Sequence, residues 1–112
     1  MFIRFDFKPI SVNLYYKKFR NRIIISQAGQ SFRQSVLDSI KNYQKISGPI
    51  SLEVFCYFSD FRKRDIDNIL KPLIDCLKNN LFDDDDMIFD LSIHKVINSS
   101  SDYFTIHISS LH

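Results

Sequence analysis

The chain has 112 residues, 45% of them hydrophobic, and a formal net charge of +2. That length suits one domain with a real core, spanning residues 1–112, and leaves no room for a second. Only two glycines are present, and neither GxGxxG nor GxxxxGK followed by Ser or Thr occurs, which argues against nucleotide-binding folds of the Rossmann or P-loop kind. The two cysteines, Cys56 and Cys76, fall inside expected regular elements and form no CxxC pair. They read as buried free thiols, not as a zinc ribbon or a disulfide scaffold. The N-terminal MFIRFDFKPIS lacks the long apolar core and small-residue cleavage site of a signal peptide. No apolar run approaches a membrane span, so a soluble cytoplasmic protein is expected.

In chain order, FIRFDF (residues 2–7) alternates apolar with charged residues and predicts an edge-type strand. A loop with Pro9, Ser11 and Asn13 follows. LYYKKFRN (14–21) is aromatic and basic, and RIIIS (22–26) is a short strand. The two form a candidate hairpin arm around Phe19 to Arg22, although the turn signal there is poor. Phe32, Val36, Ile40 and Tyr43 recur at helical spacing, which predicts a helix capped by Ser31 and running to about Lys45. Ser47-Gly48-Pro49 breaks the chain. SLEVFCYF (51–58) predicts a strand with Leu52, Val54, Cys56 and Phe58 on one face.

The clearest element comes next. Ile66, Ile69, Leu70, Leu73, Ile74 and Leu77 fall at i, i+3, i+4, i+7, i+8 and i+11, an amphipathic helix over about 67–79. Pro72 lies just past its first turn, where a local kink is expected, not a break. Residues 87–97 and 103–109 both alternate, with Phe89, Leu91 and Ile93 on one side and Phe104, Ile106 and Ile108 on one side. Joined by NSSSD (98–102), they predict an antiparallel hairpin. The sum is an α+β fold: a two-layer sandwich with a mixed or antiparallel sheet of about five strands and two main helices.

Charge is unevenly placed. Bases cluster at Lys17, Lys18, Arg20 and Arg22, and again at Arg62, Lys63 and Arg64. Acids cluster between Asp65 and Asp86. Bases hold phosphates and converging carboxylates hold a hard cation, the pairing that a metal-dependent nuclease needs. The polar stripe of the second helix carries Asn68, Lys71, Asp75 and Lys78, spaced three, four and three apart. Asp67 is equally suited to capping the helix N-terminus. Lys71 and Asp75 also suit an i, i+4 ion pair, and the run Asp83 to Asp86 suits a solvated acidic loop. An EF-hand is disfavoured, because the acid-x-acid-x-acid-Gly loop is missing.

The string Arg64-Asp65-Ile66-Asp67-Asn68-Ile69-Leu70-Lys71, with Asp75, Leu77 and an acidic pair before an apolar strand, resembles the RusA family of Holliday junction resolvases. Pro9-Ile10-Ser11-Val12-Asn13 is similar to that family's opening, and the match extends through Ile25-Ser26-Gln27-Ala28-Gly29 to Phe32 and Arg33. The resemblance implies a Mg²⁺-dependent (or Mn²⁺-supported), homodimeric endonuclease that cuts four-way DNA junctions by paired symmetric nicks, in recombination and repair. It makes Asp65 and Asp67 metal-site carboxylates and Lys71 the essential lysine. Asp86 becomes a third ligand, with Asp85 as the alternative and Asp83 and Asp84 as extras. Asn68 and Asp75 would orient Lys71 or a metal-bound water. Lys17, Lys18, Arg20, Arg22, Arg62, Lys63 and Arg64 would contact DNA phosphates. Phe19 or Tyr16 would wedge into the junction, or pack in the core or a dimer interface. Other readings are a nuclease for other branched DNA, a non-catalytic DNA-binding module of the same fold, and a metal-free interaction protein.

Overall fold

A computed structural model describes residues 1–111. The elements are β1 (Phe2–Phe5), α1 (Val12–Tyr15), β2 (Tyr16–Phe19), β3 (Arg22–Ile25), α2 (Gln27–Ile40), β4 (Ile50–Tyr57), α3 (Asp67–Leu77), β5 (Ile88–Val96) and β6 (Tyr103–Ser110), with a 3-10 turn at Asp85–Met87 before β5. Four strands form one mixed sheet in the order β1-β6-β4-β5, and β2 with β3 forms a separate hairpin. The α+β class is as expected. The sheet divides into four strands and two rather than a single sheet of about five.

The apolar alternation of β4 sets the core. Ile50, Leu52, Val54 and Cys56 are fully buried, and they meet Phe104, Ile106 and Ile108 of β6 and the α3 stripe Ile69, Leu73 and Leu77. Residues on the opposite side of β4 are only half-buried. There Phe55 stacks on His94, and Tyr57 stacks on Tyr103, at centroid separations of 4.3 Å. Pro72 sits buried inside α3, which continues through it to Leu77. Burial pushes the Cys56 thiol up to about 12 and raises Cys76 as well. Both are free thiols, protonated at neutral pH.

Three expectations are corrected. First, β5 and β6 do not form a hairpin. β5 pairs in parallel with β4, and β6 pairs antiparallel along the other side of β4. The reason is the crossover through α3, which returns the chain to the end where β4 began. Residues 98–102 therefore pass over the end of β4, where the Ser99 N–H donates to the Phe58 carbonyl at 2.9 Å. Second, a register shift beside Ile50 and Ser51 inserts Phe89 as an extra residue. Phe89 is 68% exposed, and Ile88 takes the place beside buried Ile50. Third, α2 starts earlier and ends earlier than its apolar spacing predicts. Its cap is Ser26, whose side chain accepts from the Gly29 N–H, and Ser31 lies inside it. Tyr43 falls beyond its end.

The β2–β3 hairpin is fastened at its base. The Ser26 N–H donates to the Tyr15 carbonyl at 2.8 Å, and Gly29 packs so close that a Cβ there would lie 2.3 Å from that same oxygen. Gly29→Ala therefore has to displace backbone. It is expected to destabilise the fold by about 1–3 kcal/mol despite the better helix propensity of alanine, measured by urea unfolding.

Candidate active site and nucleic-acid interface

The segment between β4 and α3 is held by charge and stacking. Arg64 donates to both carboxylate oxygens of Asp60, at 2.7 and 3.1 Å, and its guanidinium lies 4.1 Å from the Phe58 ring centre. Lys95 Nζ donates to the Arg64 carbonyl at 2.5 Å, which ties the segment to the far end of β5. The Arg64 side chain, then the Arg62 backbone N–H, hold the Asp60 carboxyl far below the usual carboxylate range. Arg64 is thus committed to the loop, whereas Arg62 and Lys63 are exposed.

Asp65 and Asp67 follow at the entrance of α3, both exposed. The N-cap is Ile66, and no side chain caps the helix. The capping role open to Asp67 is therefore not used. Among the described residues neither carboxylate has an ion-pair partner.

One turn further along, Lys71 Nζ lies 3.3 Å from Asp75 Oδ2, the ion pair anticipated from the spacing. Asp75 is braced by neighbours that the spacing does not reveal. The Tyr16 hydroxyl donates to the same oxygen, and Arg33 donates to the Asp75 backbone carbonyl at 3.3 Å. Burial, then the Asp75 hydrogen bond, raises the Tyr16 hydroxyl far above its ordinary value. Tyr16, the first residue of the hairpin, therefore braces Asp75. Phe19, in contrast, is 48% exposed at the end of β2.

The four aspartates are not equivalent. Asp83 pairs with Lys45 at 2.7 Å. Asp84 caps the 3-10 turn by accepting from the Asp85 N–H at 2.8 Å. Hydrogen bonding by Asp85, side chain first and then backbone, lowers the Asp84 carboxyl. Asp85 and Asp86 sit in the turn with exposed side chains.

Within one chain the two acidic groups stay apart. Lys95, near the end of β5, touches Arg64, next to Asp65. Asp86 precedes the start of that strand, whose nine residues make eight steps of about 3.3 Å, or roughly 26 Å. Among the described residues no three His, Cys, Asp or Glu side chains gather as a metal site.

The predicted cations fall in two places. Lys17, Lys18, Arg20 and Arg22 are exposed on the hairpin, where Arg20 takes a left-handed φ of 58° in the tight loop. Lys17 and Lys18 share a groove with Lys71, Asp75 and Lys78. Arg62, Lys63 and Arg64 line a second cleft of about 580 Å³ on the other flank of α3, together with Asp65, Asn68 and Lys8. Two cationic surfaces therefore flank the helix that carries Asp65, Asp67 and Lys71. No helix is long and apolar enough to cross a membrane.

A helix entered by two exposed carboxylates and set between basic surfaces is an arrangement that suits phosphodiester cleavage. The comparisons agree. The family model of endodeoxyribonuclease RusA matches residues 6–109. A crossover junction endodeoxyribonuclease RusA of Shigella sonnei is 36% identical over 92 residues, covering 79% of this chain and 77% of that protein. The proteins of the same name from Escherichia coli K12 and Enterobacteria phage 82 are each 35% identical over the same shares. The chain belongs to the RusA endodeoxyribonuclease family.

The depressed Asp60 carboxyl has a consequence for pH dependence. A group whose folded pKa lies below its unfolded value stabilises the fold above that unfolded value, 3.8 here, and loses the contribution as pH falls through its folded pKa. Asp60→Asn is expected to lower the melting temperature at pH 7. The gap to wild type should narrow as pH falls below about 4, read from paired thermal melts across the acid range.

Proposed function

We propose that this protein is a Mg²⁺-dependent, homodimeric endonuclease that resolves four-way DNA junctions by paired symmetric nicks, in recombination and repair. The observation that carries the reading is the pair of exposed, uncommitted carboxylates, Asp65 and Asp67, beside Arg62 and Lys63 and one turn from Lys71. The relatives' names supply the junction substrate.

Asp65 and Asp67 suit Mg²⁺, which commonly binds through one or two carboxylates with water and substrate phosphate completing its shell. Bound there, the ion would supply an activated water and offset phosphate charge. Lys71, one turn further along α3 with its ammonium held by Asp75, would supply a cation to stabilise charge that develops on the phosphate. Asp75, held by Tyr16 and Arg33, positions Lys71. Asn68 lines the same cleft as Asp65 and orients the backbone of the scissile strand or its water. Lys17, Lys18, Arg20, Arg22, Arg62 and Lys63 bind phosphates, a source of affinity and salt dependence and not of sequence choice. Phe19, exposed on the hairpin, is the candidate wedge at the branch point.

Asp86, with Asp85 beside it, enters the site from a second copy. β5 is an edge strand of the four-stranded sheet. Exposed Phe89 and Leu91 lie along it, and an unpaired strand edge is a template for pairing with another chain. Antiparallel pairing of β5 with its symmetry mate would set the start of one strand beside the end of the other. That register brings Asp86 of one copy to the Arg64–Asp65 end of its mate. It joins carboxylates that a single chain keeps apart, and a two-fold dimer would then carry two sites for two nicks.

The test is nicking of a labelled synthetic four-way junction beside linear duplex, with Mg²⁺ and with EDTA. Paired symmetric nicks that need Mg²⁺, that disappear in Asp67→Asn and that fall on the order of 10²–10³-fold in Lys71→Ala are expected. Cutting of flaps or forks in preference to the junction would redirect the substrate. Binding of the junction without any cutting would end the enzyme reading.

A further inference from the structure

The cleft beside Asp65 is built differently from a phosphate-binding surface. Its floor is apolar, formed by Phe7, Pro9 and Phe32, and Phe7 and Phe32 meet edge to face at 5.7 Å. Ser31, Ser35 and Asn68 place hydroxyl and carboxamide groups on its walls. Lys8, Arg62 and Lys63 stand at its rim, and among the described residues no carboxylate forms an ion pair with them. A volume of about 580 Å³ falls within the ~300–1,000 Å³ of sites that enclose a small organic ligand. A duplex backbone tracking the surface would need the cations alone. It has no use for an apolar floor with hydrogen-bonding walls.

We propose that this cleft receives a single unstacked nucleotide of the DNA substrate. The base rests on the Phe7–Phe32 floor, Ser31 and Ser35 meet its polar edge, and its flanking phosphates lie on Lys8, Arg62 and Lys63. The inference rests on the nuclease reading and deepens it. Seating a base outside the stack costs unstacking energy, and that cost is lowest where pairing is already disturbed. At the centre of a branched junction the cost is small, whereas in an intact duplex it is full. The cleft thereby couples seating of the strand beside Asp65 to the presence of a branch, a source of structure selectivity independent of the phosphate contacts.

The experiment places 2-aminopurine at the branch point of a four-way junction and, separately, in a linear duplex and a single strand of the same sequence. Ca²⁺ replaces Mg²⁺ so that the DNA stays intact. Wild-type protein is expected to raise the fluorescence of the junction probe several-fold beyond that of the free junction, and to leave the duplex probe unchanged. Ser35→Trp, which fills the cleft from the exposed side of α2, should lose that rise and slow nicking in Mg²⁺ while keeping its junction affinity. Ser31→Phe serves as a second plug, and a melting curve for each confirms folding. A junction that is bound and cut with no fluorescence change, or a rise that persists in both folded plug variants, overturns the nucleotide site and leaves the nuclease reading intact. Failure to bind or cut the junction removes the junction reading instead. A single-strand response abolished by the plugs would then still support the nucleotide site, and no response would overturn it too.

Discussion

Eight registered pairs tie β5 to β4 in parallel, from Ile50 with Ile88 to Tyr57 with Val96. That pairing decides where the acidic groups lie. A parallel neighbour must begin where its partner begins, so the chain has to travel back along α3 before starting β5. Asp65 and Asp67 are left at one end of the layer and Asp85 and Asp86 at the other. The core reinforces the arrangement, since Ile69, Leu73 and Leu77 of α3 are buried with Leu52, Val54 and Cys56 of β4. Sliding α3 to bring the acids together would expose that apolar stripe, at about 25 cal/mol for each Å² returned to water.

The same constraint gives the edge of β5 its meaning. A nine-residue edge strand carrying Phe89 and Leu91 on its surface is a liability in a monomer and an asset in a symmetric pair. Around α3, the local bracing serves position as well as stability. Asp60 fixes Arg64, Lys95 fixes the Arg64 carbonyl, and Tyr16 and Arg33 fix Asp75. Exposed ion pairs such as that of Lys71 with Asp75 contribute little to stability, but they narrow the range of positions open to the lysine.

The sequence discloses the helices and strands whose period is strong. The apolar stripe from Ile69 to Leu77 and the alternation of Leu52, Val54 and Cys56 survive unchanged, because burial on one face enforces them. The partner of a strand is not encoded in its alternation. β5 and β6 look like a hairpin because each alternates and a short polar stretch joins them, yet the α3 crossover assigns β5 to the opposite flank of β4. The cap at Ser26 in place of Ser31 is a similar case, since both residues precede plausible helical positions and the feature that marks Ser26 is its long-range hydrogen bond to the Tyr15 carbonyl. At the site, residue types and spacing single out Asp65, Asp67, Asn68, Lys71 and Asp75. The distance from these to Asp86 is a property of the sheet. The braces from Tyr16 and Arg33, and the apolar floor at Phe7 and Phe32, are contacts between segments far apart in the chain and leave no local pattern to read.

The most direct measurement is complementation between two inactive chains. Asp67→Asn and Asp86→Asn are co-expressed with different tags, and the mixed dimer is isolated and given a four-way junction in Mg²⁺. If Asp86 acts across the two-fold, one site of the mixed dimer has both aspartates intact and the other has neither, so nicking returns in one strand. If each chain builds its own site, both sites of the mixed dimer remain broken. A mixed dimer that binds the junction and cuts nothing would contradict the account.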